Sequence, residues 1–465
     1  MLKLYNSLGR KVQDFHPIED GVVKMYTCGP TVWNYTHVGN FRTFVFEDLL
    51  RRHLKFKGYK VTQVMNITDV EDRIIKGIKL SGKPLVELTS FYESAFHEDA
   101  DKLGIERAER YPRATEHIEE MVALIHVLLE KKFAYRAGDG SVYFEVSKFK
   151  DYGALSGVRV DSLKAAGRVS SDHYEEKMEA ADFALWKAWD PDDGEVYWET
   201  DLGKGRPGWS IECSAMAMKY LGETFDIHTG GVDNRFPHHE NEIAQSEAAT
   251  GKTFVRYWLH SDHLHLKGEE MHKSVGNVVN LRDLEKKGWD PLTVRLFLIS
   301  ARYRDPTDLT DSALEQAKSQ RDRVQEFVAR VREAEGVGTS TGVAKDFLRS
   351  FEESMDDDLN TPGAIAALFK LLKKVNSMID TGSLSGEEAA EVLEAVRRAN
   401  SVLGFIDLGE HELPPKLAAL LRKREKARET RDFAESDRLR DLLLAEGVVL
   451  EDTPGGTKWR LRRTG

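Results

Sequence analysis

The sequence predicts an α/β protein with a parallel sheet near its N-terminus, an insertion into that unit, a helical bundle, and a small basic module at the end. Three observations predict it. A β-α-β unit of the size that parallel strands require opens the chain, the composition turns helical from Asp311 onward, and charge divides between an acidic body and a basic tail.

Val22 to Thr27 is a short apolar run that reaches Cys28 and is broken by Gly29-Pro30, which reads as a strand. Phe41 to Lys57 places Phe44, Leu49, Leu50 and Leu54 on overlapping helical turns, and Gly58 supplies the stop. Lys60 to Asn66 alternates as a second strand. Two parallel strands joined by a helix place a ligand beyond the strand C-termini. A region from about Ala108 to Pro207 has a different texture, with a helix around His117 to Lys132, a strand at Ser141 to Val146 and a polar surface loop over Asp161 to Ala180. Phe225 to Asp233 returns to the sheet as a strand ending in Gly230-Gly231.

Beyond Asp311, Thr361 reads as a cap with Pro362 at the first helical position, and Ser385 with Glu388 as a capping box. Val392, Val396, Ala399 and Leu403 then line one helical face, closed by Gly404. Glu410 to Pro415 reads as a hinge. The division that follows is 1–310, with the insertion at about 108–207, then a bundle over 311–409 and a last module over 410–465.

At 465 residues the chain has ample surface to bury, and 41% hydrophobic with 31% charged residues describes a soluble globular protein rather than a disordered or membrane one. No apolar run is long enough for a bilayer, and Met1 to Ser7 lacks the apolar centre of a signal peptide, so a cytoplasmic protein with no membrane partner is expected. Of the net charge of −11, residues Pro414 to Gly465 carry +4, which leaves −15 on the rest. A polyanion would therefore meet the tail and not the body, although a solvated helix surface has the same composition. The two cysteines, Cys28 and Cys213, are expected to be buried thiols or metal ligands rather than a structural disulfide.

Three constellations carry chemistry. Thr36-His37-Val38-Gly39-Asn40 opens into a helix, whose free N–H groups and partial positive charge suit a phosphate, with His37 and Asn40 as donors. His-x-Gly-x is short enough to be a turn with an incidental histidine. In Pro237-His238-His239-Glu240-Asn241-Glu242, His238 and Glu242 are four residues apart and share a helical face, the spacing that two ligands of one metal need. With Cys28 and Cys213 they would complete a tetrahedral zinc site; a polar helix start is the plainer explanation of the same motif. Glu270-Met271-His272-Lys273-Ser274-Val275-Gly276-Asn277 puts a lysine ahead of a Gly-Asn turn, where it could clamp phosphates or simply be a charged loop.

In this order and at these separations, the three constellations resemble the class I aminoacyl-tRNA synthetases, specifically the cysteinyl-tRNA synthetase family. Met25 to Val32 resembles the family's first strand and metal cysteine, His37-Val38-Gly39-Asn40 its HIGH signature, and Asn66-Ile67-Thr68-Asp69 the turn after its second strand. Gly208 to Ser214 and Phe236 to Glu242 resemble the segments holding the other zinc ligands. Asp432 to Asp437 and Leu450 to Trp459 resemble its anticodon-binding module.

The resemblance implies a Rossmann-type catalytic domain that activates L-cysteine with ATP and magnesium and transfers it to tRNA(Cys). It implies one zinc ion per chain on Cys28, Cys213, His238 and Glu242, with His239 as a substitute ligand, and the substrate's sulfur joining the metal. Serine's hydroxyl is a far poorer zinc ligand, so no separate editing domain is needed. Gly29, Thr68 and Trp209 would close the cysteine pocket. His37, Gly39, Asn40, Gly230, Gly231, Asp233 and Lys273 would hold ATP, with His37, Asn40 and Lys273 catalytic. Arg428, Phe433, Asp437 and Asp452 would meet the anticodon, and the protein would be a monomer. Two departures stand out: the family's KMSKS signature has Glu270 and His272 in place of its first lysine and middle serine, and the last His of HIGH is Asn40. A cysteine ligase acting on a small amine, as in the mycothiol pathway, and a catalytically weakened tRNA-binding paralogue are the alternatives.

Overall fold

The computed structural model describes residues 1–159, 181–266, 268–270, 278–338, 340–408, 415–430, 432–446, 448–453 and 456–461. The loop expected over Asp161–Ala180, the Met271–Asn277 turn and the hinge at 410–414 lie outside the described residues.

A hairpin, β1 (Lys3–Asn6) and β2 (Lys11–Asp14), precedes the sheet. The β-α-β unit then forms as the pattern predicts: β3 (Val22–Thr27), α1 (Val38–Phe56) and β4 (Lys60–Met65), with β3 and β4 parallel. The helix starts three residues before the expected Phe41, because His37 caps it: its Nδ1 accepts from the Asn40 N–H at 3.1 Å. Two helices that the sequence reading did not place, α2 (Asp72–Ser81) and α3 (Leu85–Lys102), follow.

The insertion holds α4 (Ile118–Glu130) and a five-stranded sheet ordered β5-β6-β7-β9-β8, built from β5 (Ala134–Arg136), β6 (Val142–Phe144), β7 (Phe183–Ala188), β8 (Trp198–Thr200) and β9 (Gly203–Pro207). Every pairing in it is antiparallel. The chain re-enters the main unit through α5 (Trp209–Leu221), β10 (Phe225–Gly231), α6 (His238–Thr250) and β11 (Val255–Ser261). The main sheet is parallel and ordered β11-β10-β3-β4. Strand order reverses between β3, which continues to β4, and β10, which continues to β11 on the other side. The crevice outside the strand C-termini at that reversal is where such sheets bind ligands, and it falls between Cys28 and Gly231.

Two short helices, α7 (Leu281–Lys286) and α8 (Pro291–Leu298), lead to a bundle of α9 (Asp311–Arg332), α10 (Val343–Asp356), α11 (Thr361–Asp380) and α12 (Gly386–Leu403). The cap of α11 is Asn360 rather than Thr361, with its Oδ1 accepting from Gly363 N at 3.0 Å. Half of the predicted box at α12 forms. Ser385 Oγ accepts from Glu388 N, but the Glu388 carboxylate turns to the N–H and hydroxyl of Thr341. Val392, Val396, Ala399 and Leu403 are all buried, and Gly404 ends the helix at φ 69°.

Bundle and catalytic unit share one apolar core, in which Leu49, Leu50 and Leu54 of α1 join Val396 and Leu403 of α12. The fully buried Arg295 pins that junction. It donates to Leu103 O, Gly104 O and Leu403 O and pairs with Asp48 at 2.6 Å. The last described module is α13 (Pro415–Glu429), α14 (Phe433–Ala445) and an antiparallel hairpin of β12 (Val448–Thr453) with β13 (Gly456–Leu461), around Leu417, Leu421, Leu443, Val448 and Leu450. Among the described residues no helix is long and apolar enough to cross a membrane.

Candidate active site

A cavity of about 680 Å³ opens at the C-terminal ends of β3, β4, β10 and β11. Its lining brings together most of the residues the sequence reading singled out: Cys28, Gly29, His37, Gly39, Asn40, Thr68, Trp209, Cys213, Gly231, Asp233 and His238. Glu242 lies behind the wall, fully buried on α6. Gly230 sits under it, where a Cβ would meet His239 Cε1 at 2.8 Å. Lys273, Met271 and His272 lie outside the described residues, as does the side chain of Glu270.

Gly29 is a glycine for want of room: a Cβ there would come within 1.8 Å of Asn66 O, and its N–H donates to Asn66 Oδ1 at 2.9 Å. At the other end of the cavity the cap of α1 fixes the tautomer of His37. Because Nδ1 accepts from a backbone N–H, the ring proton of the neutral imidazole sits on Nε2. Val38 N–H donates to Val279 O at 2.8 Å, tying the start of α1 to the segment just after residues 271–277. Thr43 Oγ1 and Ser261 Oγ share a 2.7 Å hydrogen bond across the cavity floor.

The four sequence-predicted ligands converge. One donor atom from each of Cys28, Cys213, His238 and Glu242 lies within 4.8 Å of the others, and so does a second set of Cys28, His228, His239 and Glu242. Hydrogen bonding separates the two sets. His228 Nε2 is engaged with Glu242 Oε2 at 2.9 Å, and His239 uses both nitrogens, one on Cys28 Sγ at 3.2 Å and one on His260 Nε2 at 2.8 Å. His260 Nδ1 in turn meets Ser7 Oγ at 2.7 Å. In the first set, His238 Nε2 and Glu242 Oε1 are buried with no hydrogen-bond partner, although they stand 3.1 Å apart. Two buried acceptors aimed at one point, with two sulfurs beside them, are what a soft divalent cation satisfies. His238 is held for this by Ser210 Oγ at 3.2 Å from Nδ1 and by Trp209, stacked on it with ring centroids 3.9 Å apart.

Electrostatics agree with the geometry. Burial, with Cys213 next, pushes the Cys28 thiol well up, and burial likewise raises Cys213. Burial raises the Glu242 carboxyl to about 8, partly offset by His238, and lowers His238 to about 4. Left to themselves these groups are neutral; a cation reverses that preference for thiolate and carboxylate. The residues present therefore fit a tetrahedral zinc ion.

Comparison with known proteins decides the family. The chain matches the tRNA synthetases class I (C) catalytic domain over residues 14–319, the DALR domain over 350–407, and the cysteinyl-tRNA ligase anticodon binding domain over 410–460. It is 44% identical over 465 residues to a cysteine–tRNA ligase of Protochlamydia amoebophila, covering 98% of this chain and 97% of that one. The chain belongs to the cysteine–tRNA ligase family. A second relative of that name, from Chlamydia pneumoniae, is 45% identical over 98% of both chains. In fold it resembles a Mycobacterium tuberculosis methionyl-tRNA synthetase in complex with methionyl-adenylate, with TM-score 0.62, 15% identity, and 82% and 92% of the two chains covered. The protein is thus an enzyme, a ligase whose substrates are a tRNA, an amino acid and ATP. The matched anticodon-binding domain supports this over a ligase acting on a small amine.

Sequence reasoning missed the second layer, His228, His260 and Ser7. A positional signal existed for His260, which lies near the C-terminal end of β11 as Cys28 does for β3, whereas His228 sits at the middle of β10. In the last module Arg428 and Asp437 are exposed on α13 and α14, Phe433 is 65% exposed at the start of α14, and the side chain of Asp452 lies outside the description.

Proposed function

We propose that this ligase recognises L-cysteine by its sulfur, at one zinc ion per chain held by Cys28, Cys213, His238 and Glu242. The observation that carries the reading is the orphaned pair of buried acceptors, His238 Nε2 and Glu242 Oε1, facing two buried thiols. When bound there, zinc favours a thiolate ligand strongly over a hydroxyl, which separates cysteine from serine.

The chain's own residues do the rest. Trp209, Thr68 and Gly29 line the end of the cavity beside Cys28 and Cys213 and bound the place for the amino acid. The Nε2–H of His37, the Asn40 amide and the N–H groups opening α1 hold the α-phosphoryl oxygens of magnesium ATP while the cysteine carboxylate attacks phosphorus and pyrophosphate leaves. Gly39 lets the backbone close on the phosphates, and Gly230, Gly231 and Asp233 receive the adenosine. Lys273 offsets the charge that develops on the phosphates. The adenylate then acylates the terminal ribose of tRNA(Cys), whose anticodon meets Arg428, Phe433, Asp437 and Asp452. We assign 1–310 to catalysis, 311–409 to the bundle and 410–465 to anticodon binding, in a cytoplasmic monomer.

Zinc content measured together with cysteine-dependent pyrophosphate exchange tests this. One zinc per chain is expected, with serine supporting exchange roughly 10⁴-fold less well than cysteine. Full activity in metal-free protein, or equal use of serine, overturns the reading.

A further inference from the structure

One buried cation beside the cavity has no part in the reading above. Arg42 lies on α1, two residues beyond Asn40, and is 2% exposed. Arg51, Arg206, Arg295 and Arg321 are buried too, and each is ion-paired, with Glu109, Asp193, Asp48 and Asp290 in turn. Arg42 instead meets neutral backbone oxygens alone among the described residues. Its Nε donates to Asp262 O at 3.1 Å and its Nη2 to Arg302 O at 3.2 Å and to Asp305 O, while Nη1 has no partner. Buried charges are as a rule paired, because an unpaired one is costly in a low dielectric. An unpaired cation beside a ligand cavity suits a counter-charge that arrives with the ligand.

The surroundings of Arg42 indicate which ligand group that is. Side chains on a helix lean toward its N-terminus, so the guanidinium lies along the turn that holds His37 and Asn40. Asn40, Thr43 and Asp262, which adjoin or touch Arg42, line the large cavity. On its other side Phe46, Leu49, Leu298 and Tyr303 share a small cavity with it. One layer of protein thus separates the charge from the N–H groups that open α1, and much of what surrounds it is apolar and screens it little. Asp262 and Asp305, whose carbonyls it binds, keep their carboxylates out of contact with it. Asp305 is exposed to solvent, and Asp262 Oδ1 accepts from the His263 N–H at 2.7 Å. The charge of Arg42 therefore adds to the partial positive charge of the helix terminus.

We propose that Arg42 is a buried counter-charge for the nucleotide: its field raises affinity for the phosphoryl groups of ATP at the start of α1 without touching them. The inference rests on the reading that the start of α1, with His37 and Asn40, holds phosphoryl oxygens.

Dissociation constants of adenosine, AMP and ATP, measured by calorimetry on the full-length protein and on Arg42→Gln, Arg42→Met and Arg42→Lys, test it. Glutamine and methionine both remove the charge, so either carries the test should the other fail to fold. At a separation on the order of 10 Å and an effective dielectric constant of about 20, one unit of charge changes affinity about tenfold. AMP and ATP are expected to bind the neutral variants about tenfold or more weakly, whereas uncharged adenosine stays within about twofold of wild type. Lysine keeps the charge and loses the fork of hydrogen bonds, so AMP binds Arg42→Lys within about threefold of wild type although the thermal midpoint falls. A purely structural role would displace the cavity walls and weaken all three ligands together. The proposal is overturned if adenosine weakens in step with AMP, if the neutral variants bind AMP as wild type does, or if Arg42→Lys loses AMP affinity as they do. Failure of the underlying phosphate reading looks different. His37→Asn keeps a side chain able to cap α1 and removes the Nε2–H, so unchanged affinity for AMP and ATP in that variant would place the phosphoryl groups elsewhere.

Discussion

Replacing Cys213 by serine distinguishes the two ligand sets that converge at the cavity. The set of Cys28, Cys213, His238 and Glu242 offers zinc two sulfurs, one nitrogen and one oxygen; the set of Cys28, His228, His239 and Glu242 offers one sulfur, two nitrogens and one oxygen. X-ray absorption counts these directly, since Zn–S distances are about 2.3 Å and Zn–N about 2.0–2.1 Å. Wild-type protein is expected to show two sulfurs, with a third on addition of L-cysteine. Cys213→Ser should show one. Cys213 is 1% exposed, so the serine hydroxyl is held in the same dry position and solvent cannot readily supply a replacement ligand. Spreading the roughly 10–16 kcal/mol typical of a four-ligand zinc site evenly gives about 3 kcal/mol per ligand, or a loss of about a hundredfold in affinity. Competition with a chromophoric chelator measures that loss. One sulfur in the wild-type protein, or an unchanged shell and affinity in Cys213→Ser, would refute the hydrogen-bonding argument that separated the two sets.

Three other outcomes are expected. Lys273→Ala should lower cysteine-dependent pyrophosphate exchange by about 10²–10³-fold while leaving zinc content intact; unchanged exchange removes Lys273 from the mechanism. Arg295→Met leaves the buried Asp48 with Arg52 as its remaining ion pair and frees the carbonyls of Leu103 and Leu403, while Gly104 O keeps its bond from Arg52, so urea unfolding should show a loss of about 3–5 kcal/mol. A loss below about 1 kcal/mol would mean that the apolar junction holds without it. Asp356 is brought down to about 2, because its hydrogen bonds to His53 and Lys57 outweigh the opposing effect of burial. A carboxyl lowered on folding stabilises above its ordinary range near 4, and that stability is lost as pH falls from about 5 through 2. Asp356→Asn should therefore cost about 2 kcal/mol at pH 7 and flatten the acid limb of the stability profile; an unchanged limb would show that the pairing contributes nothing.

What could be read from the sequence is what backbone periodicity and short motifs encode locally. The bounds of β3 match the apolar run from Val22 to Thr27, and α12 buries the four residues its spacing nominated. Both rest on repeats of two or about 3.6 residues that need no knowledge of distant chain. The shared helical face of His238 and Glu242 was legible for the same reason. The cap of α11 was misplaced by one residue, because asparagine and threonine both satisfy a free N–H and only the backbone angle chooses between them.

Tertiary structure alone decided the rest. The side chains around Cys28 come from β3, α5, β10, α6 and β11, and the contact between Cys28 and His239 spans 211 residues of sequence. No local pattern distinguishes His238, with an orphaned nitrogen, from His239 and His228, whose nitrogens are already bonded to neighbours. Nor does one show that Glu212 is fully buried, because burial is a property of what packs over a residue and not of the residue itself. The residue types that this chemistry requires are written along the chain, whereas their roles follow from which buried polar atoms the packing of strands and helices leaves unpaired.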